Sequence, residues 1–159
     1  MSGWDTSKVT DMGWMFYECK ALTSLDVSGF KTGNVINMHS MFNKCSNLTS
    51  LDLSGWDTGK VTNMEAMFYN CGALTSLDLS NFNISNVSSI GGMFSSCSSL
   101  TSLNLSGWNI SNDIKIILMF KGCSALKTIR MIGCSQTTID KIKAQLATDG
   151  ITDCTIVTE

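Results

Sequence analysis

Charged residues are scarce in this sequence, and neither sign of charge is concentrated in one region. Lys, Arg, Asp and Glu together make up 15% of the 159 residues, the net charge at pH 7 is −2, and no basic run occurs. A protein that binds nucleic acid needs clustered Lys and Arg side chains to neutralise the phosphates. The composition therefore argues against a nucleic-acid partner.

Long apolar runs are missing as well. A membrane-spanning helix needs roughly 18 or more consecutive apolar residues, and no stretch approaches that length. We therefore expect no membrane span in this segment. The opening MSGWDTSKVT also lacks the charged-then-apolar layout of a secretion signal. We interpret the chain as a mature fragment or an expressed segment of a longer protein.

Residues suited to catalysis or metal binding are few. His39 is the only histidine, and no partner stands at nucleophile spacing from it, so we interpret it as a surface residue. The motifs GxSxG and HExxH, phosphate-binding loops, dinucleotide fingerprints and CxxC pairs are all missing. We therefore expect no enzyme activity, no cofactor and no metal site.

What the sequence does contain is a pattern that returns every 26 residues. The stretch 48–73, LTSLDLSGWDTGKVTNMEAMFYNCGA, shows this unit most clearly. Its aromatic residue recurs as Trp4, Phe30, Trp56, Phe82 and Trp108. Its cysteine recurs as Cys19, Cys45, Cys71, Cys97 and Cys123. A fixed period of this length is typical of a solenoid.

Each unit reads as a strand followed by a turn and a helical segment. Leu51 and Leu53 alternate with polar residues, which is the period of a strand with one buried face. After the turn, apolar residues are spaced by three and by one, which is typical of a helix or a chain of helical turns. These residues are Val61, Met64, Met67, Phe68 and Cys71. Asp57 or Thr58 is a plausible N-cap for this segment.

One unit buries too little apolar surface to offset the entropy of ordering its backbone, so neighbouring units must stack. We predict an α/β solenoid, a right-handed stack of 26-residue strand–turn–helical-segment repeats with a parallel sheet on one face. The strands are expected near 22–28, 48–54, 74–80, 100–106 and 126–132.

The pattern divides the chain into three parts. Residues 1–20 form a partial N-terminal repeat, 21–124 form four full repeats, and 125–159 form a C-terminal capping repeat. The cap should contain a strand, an amphipathic helix near 138–148 that ends at Gly150, and a final strand. The N-terminal edge is uncapped, which indicates either earlier repeats or a preceding domain, or a dimer interface.

Cysteine occurs seven times, and five of these residues share one position of the unit. Neighbours in a stacked column fall within disulfide range. However, five is an odd number, and a small buried hydrophobe that fits a narrow column is the commoner role of cysteine. We predict free, buried thiols.

The strand pattern LxxLxL followed by an aromatic residue resembles the leucine-rich repeat. The longer string LTSLDLSGWDTxKVTNMxxMFxxC is similar to the BspA-like group of bacterial leucine-rich-repeat surface proteins. This resemblance implies an extracellular location at the bacterial cell surface and adhesion to a protein or glycan of a host or neighbouring cell. Two alternatives remain open: a receptor-binding or fibre segment of a phage or secreted machine, and a purely structural stalk.

Strand residues that point away from the core should form the ligand-binding face. The candidate residues are Ser24, Asp26, Ser28, Ser50, Asp52, Ser54, Ser76, Asp78, Ser80 and Asn104. Stacked carboxylates should repel each other. Neighbouring hydroxyls that donate hydrogen bonds, a cation held between carboxylates, or a polar or basic partner would each account for them. Calcium needs six to eight oxygen ligands, more than this flat face offers.

Overall fold

The computed structural model describes residues 4–159 and has a small parallel sheet with one helix. The elements in chain order are β1 (Ser76–Asp78), β2 (Ser102–Asn104), β3 (Thr128–Arg130), α1 (Gln136–Asp149) and β4 (Thr155–Val157). The sheet order is β1-β2-β3-β4, and all neighbours are parallel. Ser76 lies opposite Ser102, and Ser102 lies opposite Thr128, so paired residues in these strands are 26 positions apart. The fold is compatible with the α/β class.

The strands are shorter and fewer than the sequence predicts. β1, β2 and β3 occupy the centres of the predicted ranges 74–80, 100–106 and 126–132, whereas 22–28 and 48–54 do not form strands. Leu25 and Leu51 are only half-buried, while the equivalent Leu77 and Leu103 are buried. The segments 22–28 and 48–54 therefore bury less apolar surface against the core than the later strand segments do, and their pairing is weaker.

The apolar second half of each unit is a chain of turns and not an α-helix. We call residues 12–19, 38–45, 64–71, 90–97 and 116–123 the turn segments. In each, two residues 4 positions apart have positive φ, which a right-handed helix does not contain. They are Trp14 and Glu18, Ser40 and Lys44, Ala66 and Asn70, Gly92 and Ser96, and Leu118 and Gly122. Of the two alternatives, the chain of turns is the one observed, so neither Asp57 nor Thr58 caps a helix.

Adjacent turn segments are joined by four backbone hydrogen bonds. The N–H groups of Met12, Trp14, Phe16 and Glu18 donate to carbonyls 25 positions ahead, over distances between 2.8 and 3.0 Å. An equivalent set of four bonds begins at each of residues 38, 64 and 90. Because these bonds run between segments, the positive φ values do not leave the donors unpaired.

The core lies between the strand segments and the turn segments and forms one continuous cluster. Six residues of the unit 48–73 were predicted to share it: Leu51, Leu53, Trp56, Met64, Met67 and Phe68. This prediction is confirmed, with Leu51 half-buried and the others buried. The phenylalanine rings of neighbouring turn segments stack on each other, for example Phe42 on Phe68 with centroids 5.6 Å apart.

The cysteine column is buried and hydrogen-bonded. Cys45, Cys71, Cys97 and Cys123 are buried, and each Sγ donates to the carbonyl of a phenylalanine 29 positions earlier at 3.0–3.1 Å. Cys19 is half-buried, and all seven cysteines are free in residues 4–159. Burial raises the pKa of Cys45 to about 11 and that of Cys123 to about 12.

α1 covers the core beyond the last turn segment. Its N-cap Ser135 accepts from the Thr138 N–H, and Gly150 ends it with φ 81°. Thr138 Oγ1 accepts from Ile110 N–H at 3.0 Å, and Asp149 Oδ2 accepts from Phe120 N–H at 2.8 Å. α1 and β4 lie within the predicted capping range, whose boundaries stay predictions. Among the described residues, none of the helices is long and apolar enough to cross a membrane.

The open face of the sheet as a candidate binding site

The outward side of the strand segments, which we call the open face, is polar along its length. In β1, Leu77 points inward and is buried, while Ser76 and Asp78 are exposed. The ten residues predicted for the site keep this alternation: nine are exposed, and Asn104 is half-buried. Whether they bind a ligand stays a prediction.

The three aspartates of the open face form turns with the serine two positions ahead. Oδ1 of Asp26, Asp52 and Asp78 accepts the backbone N–H of that serine at 2.9–3.0 Å. The hydroxyls of Ser28 and Ser80 donate to the same oxygens at 2.6 and 2.7 Å. Hydrogen bonds from Ser28 hold the pKa of Asp26 below its usual value. Of the three explanations for the acidic column, donation by neighbouring hydroxyls is the one visible in the contacts.

Asp78 and Asn104 are predicted site residues on neighbouring strands that a side-chain hydrogen bond joins. Asn104 Nδ2 donates to Asp78 Oδ2 at 3.0 Å, and Asn104 Oδ1 accepts from Ser106. Partial burial raises the pKa of Asp78, but hydrogen bonds from Ser80 and Asn104, with the charge of Arg130, lower it further, so the net shift is downward. Among residues 4–159, no group of three His, Cys, Asp or Glu side chains could hold a metal.

A groove of about 450 Å³ crosses the open face over β1, β2 and β3, and this volume lies within the roughly 300–1,000 Å³ range of small-molecule pockets. It is lined by Ser76, Leu77, Asp78, Ser102, Leu103, Asn104, Thr128 and Arg130. The Arg130 guanidinium forms no salt bridge and no hydrogen bond with residues 4–159. Its planar donors are therefore available to an anionic group.

The sequence also matches a family of proteins. It matches the family described as Mycoplasma protein of unknown function, DUF285, over residues 1–77 and 51–138. The chain belongs to the DUF285 family. Together the two matched ranges reach from residue 1 to residue 138, which includes the aspartates of the open face. No curated protein and no solved structure matches the chain.

Three outward-pointing polar groove residues of this DUF285 protein were not in the sequence-based list. Ser102, Thr128 and Arg130 belong to the same outward columns as the predicted residues, but the prediction ended at Asn104. The signal was the change of one column from Asp78 through Asn104 to Arg130, which alters the charge of the face along the stack.

A second cavity, of about 420 Å³, lies over the loops that follow β1 and β2. Its lining includes Asn83 and Asn109, which occupy the same position of consecutive units. Asn83 Oδ1 accepts from Ser85 N–H, and Asn109 Oδ1 lies 3.4 Å from the hydroxyls of Ser135 and Thr138. These amides hold the loops together. The spacing of the two asparagines was the available sequence signal.

His39 is half-buried and lies away from the open face, among the turn segments. Its Nε2 is 3.2 Å from Ser40 Oγ, and the edge of its ring meets Trp14 with centroids 4.6 Å apart. The interpretation of His39 as a surface residue is therefore only partly right, because the Trp14 ring covers it.

Proposed function

We propose that this chain is a non-enzymatic recognition module that binds a protein or glycan partner through its open face. The observation that carries the proposal is the groove over β1–β3, where all residues that point outward are polar. Asp78 and Asn104 offer acceptors and donors held in place by hydrogen bonds, and Arg130 offers unused donors. Such an arrangement suits recognition of polar groups without chemistry.

The architecture that we propose for this module is the right-handed 26-residue solenoid of the leucine-rich-repeat type. The register of β1, β2 and β3 and the repeated bonds between turn segments support it. In a solenoid each unit adds one more row to the same face. The open face would then grow with the number of units, and its specificity would depend on which residues fill the outward columns.

The BspA-like resemblance of the repeat string supports a place at the bacterial cell surface and a role in adhesion. A phage or secreted fibre would use the same groove for its receptor. A structural stalk would use none of it, so a binding measurement separates the stalk from both recognition roles.

The test measures binding of the labelled chain to immobilised acidic oligosaccharides, neutral oligosaccharides and extracellular-matrix proteins. Ser102→Arg places a long charged side chain in the centre of the groove. We expect this variant to bind the retained probe at least tenfold more weakly than the parent, since it fills the groove and alters its charge.

The matched control is Asn112→Arg, which adds the same charge at an exposed position outside the open face. Circular dichroism of both variants checks that the fold is unchanged. Equal binding by the parent and Ser102→Arg would contradict recognition through the groove, whereas retention of none of the probes by the parent would favour the stalk.

A further inference from the structure

One column of outward residues changes its charge along the open face, and we call it the charge column. Its members, one in each unit, are Asp26, Asp52, Asp78, Asn104 and Arg130. The register of β1, β2 and β3 sets the last three directly beside one another, at the strand spacing of about 4.8 Å. The open face is therefore acidic over the earlier units and basic at β3.

The basic end of the charge column is free to bind an anion. Arg130 is exposed, and its guanidinium forms no salt bridge and no hydrogen bond with residues 4–159. Asp78, the carboxylate of the groove, lies two strands away and accepts hydrogen bonds from Ser80 and Asn104 instead. A guanidinium binds a carboxylate through two parallel hydrogen bonds. The groove thus offers a carboxylate site at its β3 end.

A second column of the same face supplies hydroxyl groups. Ser76, Ser102 and Thr128 lie beside one another in β1, β2 and β3 and line the groove. Their hydroxyls neither donate nor accept a hydrogen bond within the described part of the chain. A hydroxyl can donate and accept, and so can each hydroxyl of a sugar. The row of free hydroxyls therefore matches a row of sugar hydroxyls.

The groove offers few of the anchors that a protein partner uses. The binding energy of protein interfaces comes mainly from a few residues, often Trp, Tyr and Arg, in well-packed, desolvated pockets. The described residues that line the groove include no Trp, Tyr or Phe. Its apolar floor, Leu77 and Leu103, is only 5% and 2% exposed. The accessible groups are hydroxyls, an amide, a carboxylate and a guanidinium, which favours a glycan over a protein.

We infer that the groove over β1–β3 binds a glycan whose end sugar carries a carboxylate and whose following sugars are neutral. This inference rests on the proposed function, since it names the ligand of the same face. The carboxylate accepts from Arg130, and the neutral sugars lie along the hydroxyl column toward β1. A glycan with a carboxylate on every sugar brings negative charge close to Asp78, and like charges repel. The charge column therefore selects a glycan with one acidic end.

The test compares matched probes for binding to the chain. The acid-ended probes are oligosaccharides of neutral sugars that end in glucuronic acid or sialic acid, and each is paired with its own methyl ester, which keeps the shape and removes the charge. An oligogalacturonate of the same length carries a carboxylate on every sugar, and a glutamate-rich peptide represents an acidic protein. We expect the best acid-ended probe to bind at least tenfold more tightly than its ester and than the oligogalacturonate.

Variants of Arg130 show whether this preference depends on the groove. Arg130→Gln should weaken binding of the acid-ended probe at least tenfold and leave binding of the ester unchanged. Arg130→Lys should lose less, because it keeps the charge but not the planar pair of donors. Lys121→Gln is the matched control, since it removes the same charge at an exposed position of the last turn segment. It should bind as the parent does, and circular dichroism checks that all three variants fold.

The outcomes separate this inference from the proposed function. Equal binding of the acid-ended probes and their esters would overturn the inference and leave recognition through the groove standing. Binding of the peptide by a parent chain that binds no oligosaccharide would also overturn it, in favour of a protein partner. If the parent bound none of these probes and none of the matrix proteins, the proposed function would fail together with the inference.

Discussion

Ala66 illustrates how single residues adapt to the turn segments. Its φ is 54°, a left-handed conformation that costs an L-residue roughly 1–2 kcal/mol. The equivalent residue in the next unit is Gly92, with φ 60°. We expect Ala66→Gly to raise the free energy of unfolding by about 0.5–1 kcal/mol in urea denaturation, after the entropy that glycine gains in the unfolded chain is subtracted.

Ala73→Gly is the matched control, because Ala73 is also half-buried but has no positive φ. It should lower stability by about 0.5–1 kcal/mol. If both glycine substitutions destabilise the protein equally, the left-handed conformation at position 66 is not strained.

Trp56 tests the packing of the aromatic column. It is 3% exposed and lies between Phe30 and Phe82, with ring centroids 6.3 and 6.5 Å away. Its Nε1 donates to Val27 O at 3.3 Å. We expect Trp56→Ala to destabilise the protein by about 3–5 kcal/mol in urea melts. Trp14→Ala, at an indole that is 54% exposed, should cost much less, and a similar loss from both would contradict a core role for Trp56.

At the scale of the strand segments, the aspartate–serine turns predict a dependence of stability on pH. Hydrogen bonds from the serines hold the pKa values of Asp26 and Asp52 below their usual range, and the net shift at Asp78 is also downward. A lowered folded-state pKa stabilises the protein above the unfolded-state pKa of about 3.9, and this contribution is lost as pH falls through the folded-state pKa.

The triple variant Asp26→Asn, Asp52→Asn and Asp78→Asn should therefore show a flatter decline of the urea midpoint below about pH 4 than the parent does. Asparagine keeps the acceptor, as Asn104 does toward Ser106. Identical declines for the parent and the variant would show that these turns do not contribute to acid sensitivity. Asp52→Ala should be mildly destabilising, because loss of the turn to Ser54 outweighs the relief of repulsion between stacked carboxylates.

At the scale of α1, Asp149 is the residue that joins the helix to the last turn segment. It is 4% exposed, and its Oδ2 accepts from Phe120 N–H. We expect Asp149→Ala to cost about 1–3 kcal/mol, because a buried N–H loses its acceptor. Hydrogen exchange at the Phe120 amide should become faster. Asp140→Ala, at an exposed position of α1, is the control and should leave that amide protected.

For the whole molecule, the thiols report unfolding. Four buried cysteines have raised pKa values, mainly because burial disfavours the thiolate. We expect them to react with a thiol reagent only when the chain unfolds, whereas the half-buried Cys19, Cys134 and Cys154 react in the folded protein. Titration in denaturant without reductant should recover seven thiols, and recovery of two or fewer would disprove the prediction of free cysteines.

The sequence by itself determined which side chains meet. The period of 26 residues placed Trp56, Met64 and Phe68 in one core, and the alternation around Leu77 placed Asp78 on the outward side. These outcomes depend on which side chains are apolar and which are polar, and the periodic positions of the two kinds are visible in the sequence itself.

Only the tertiary structure decided how the backbone satisfies its hydrogen bonds. Spacing of three and one fits a helix and a chain of turns equally well, and Ala66 and Leu118 do not favour positive φ. At Ala66, the bond from its N–H to Gly91 O of the neighbouring segment holds this conformation. The same reason explains Asp149, whose role as acceptor for Phe120 requires α1 to lie beside the last turn segment. Hydrogen-bond partners that are far apart in sequence come together only when the segments pack, so local residue preferences do not specify which backbone groups will pair.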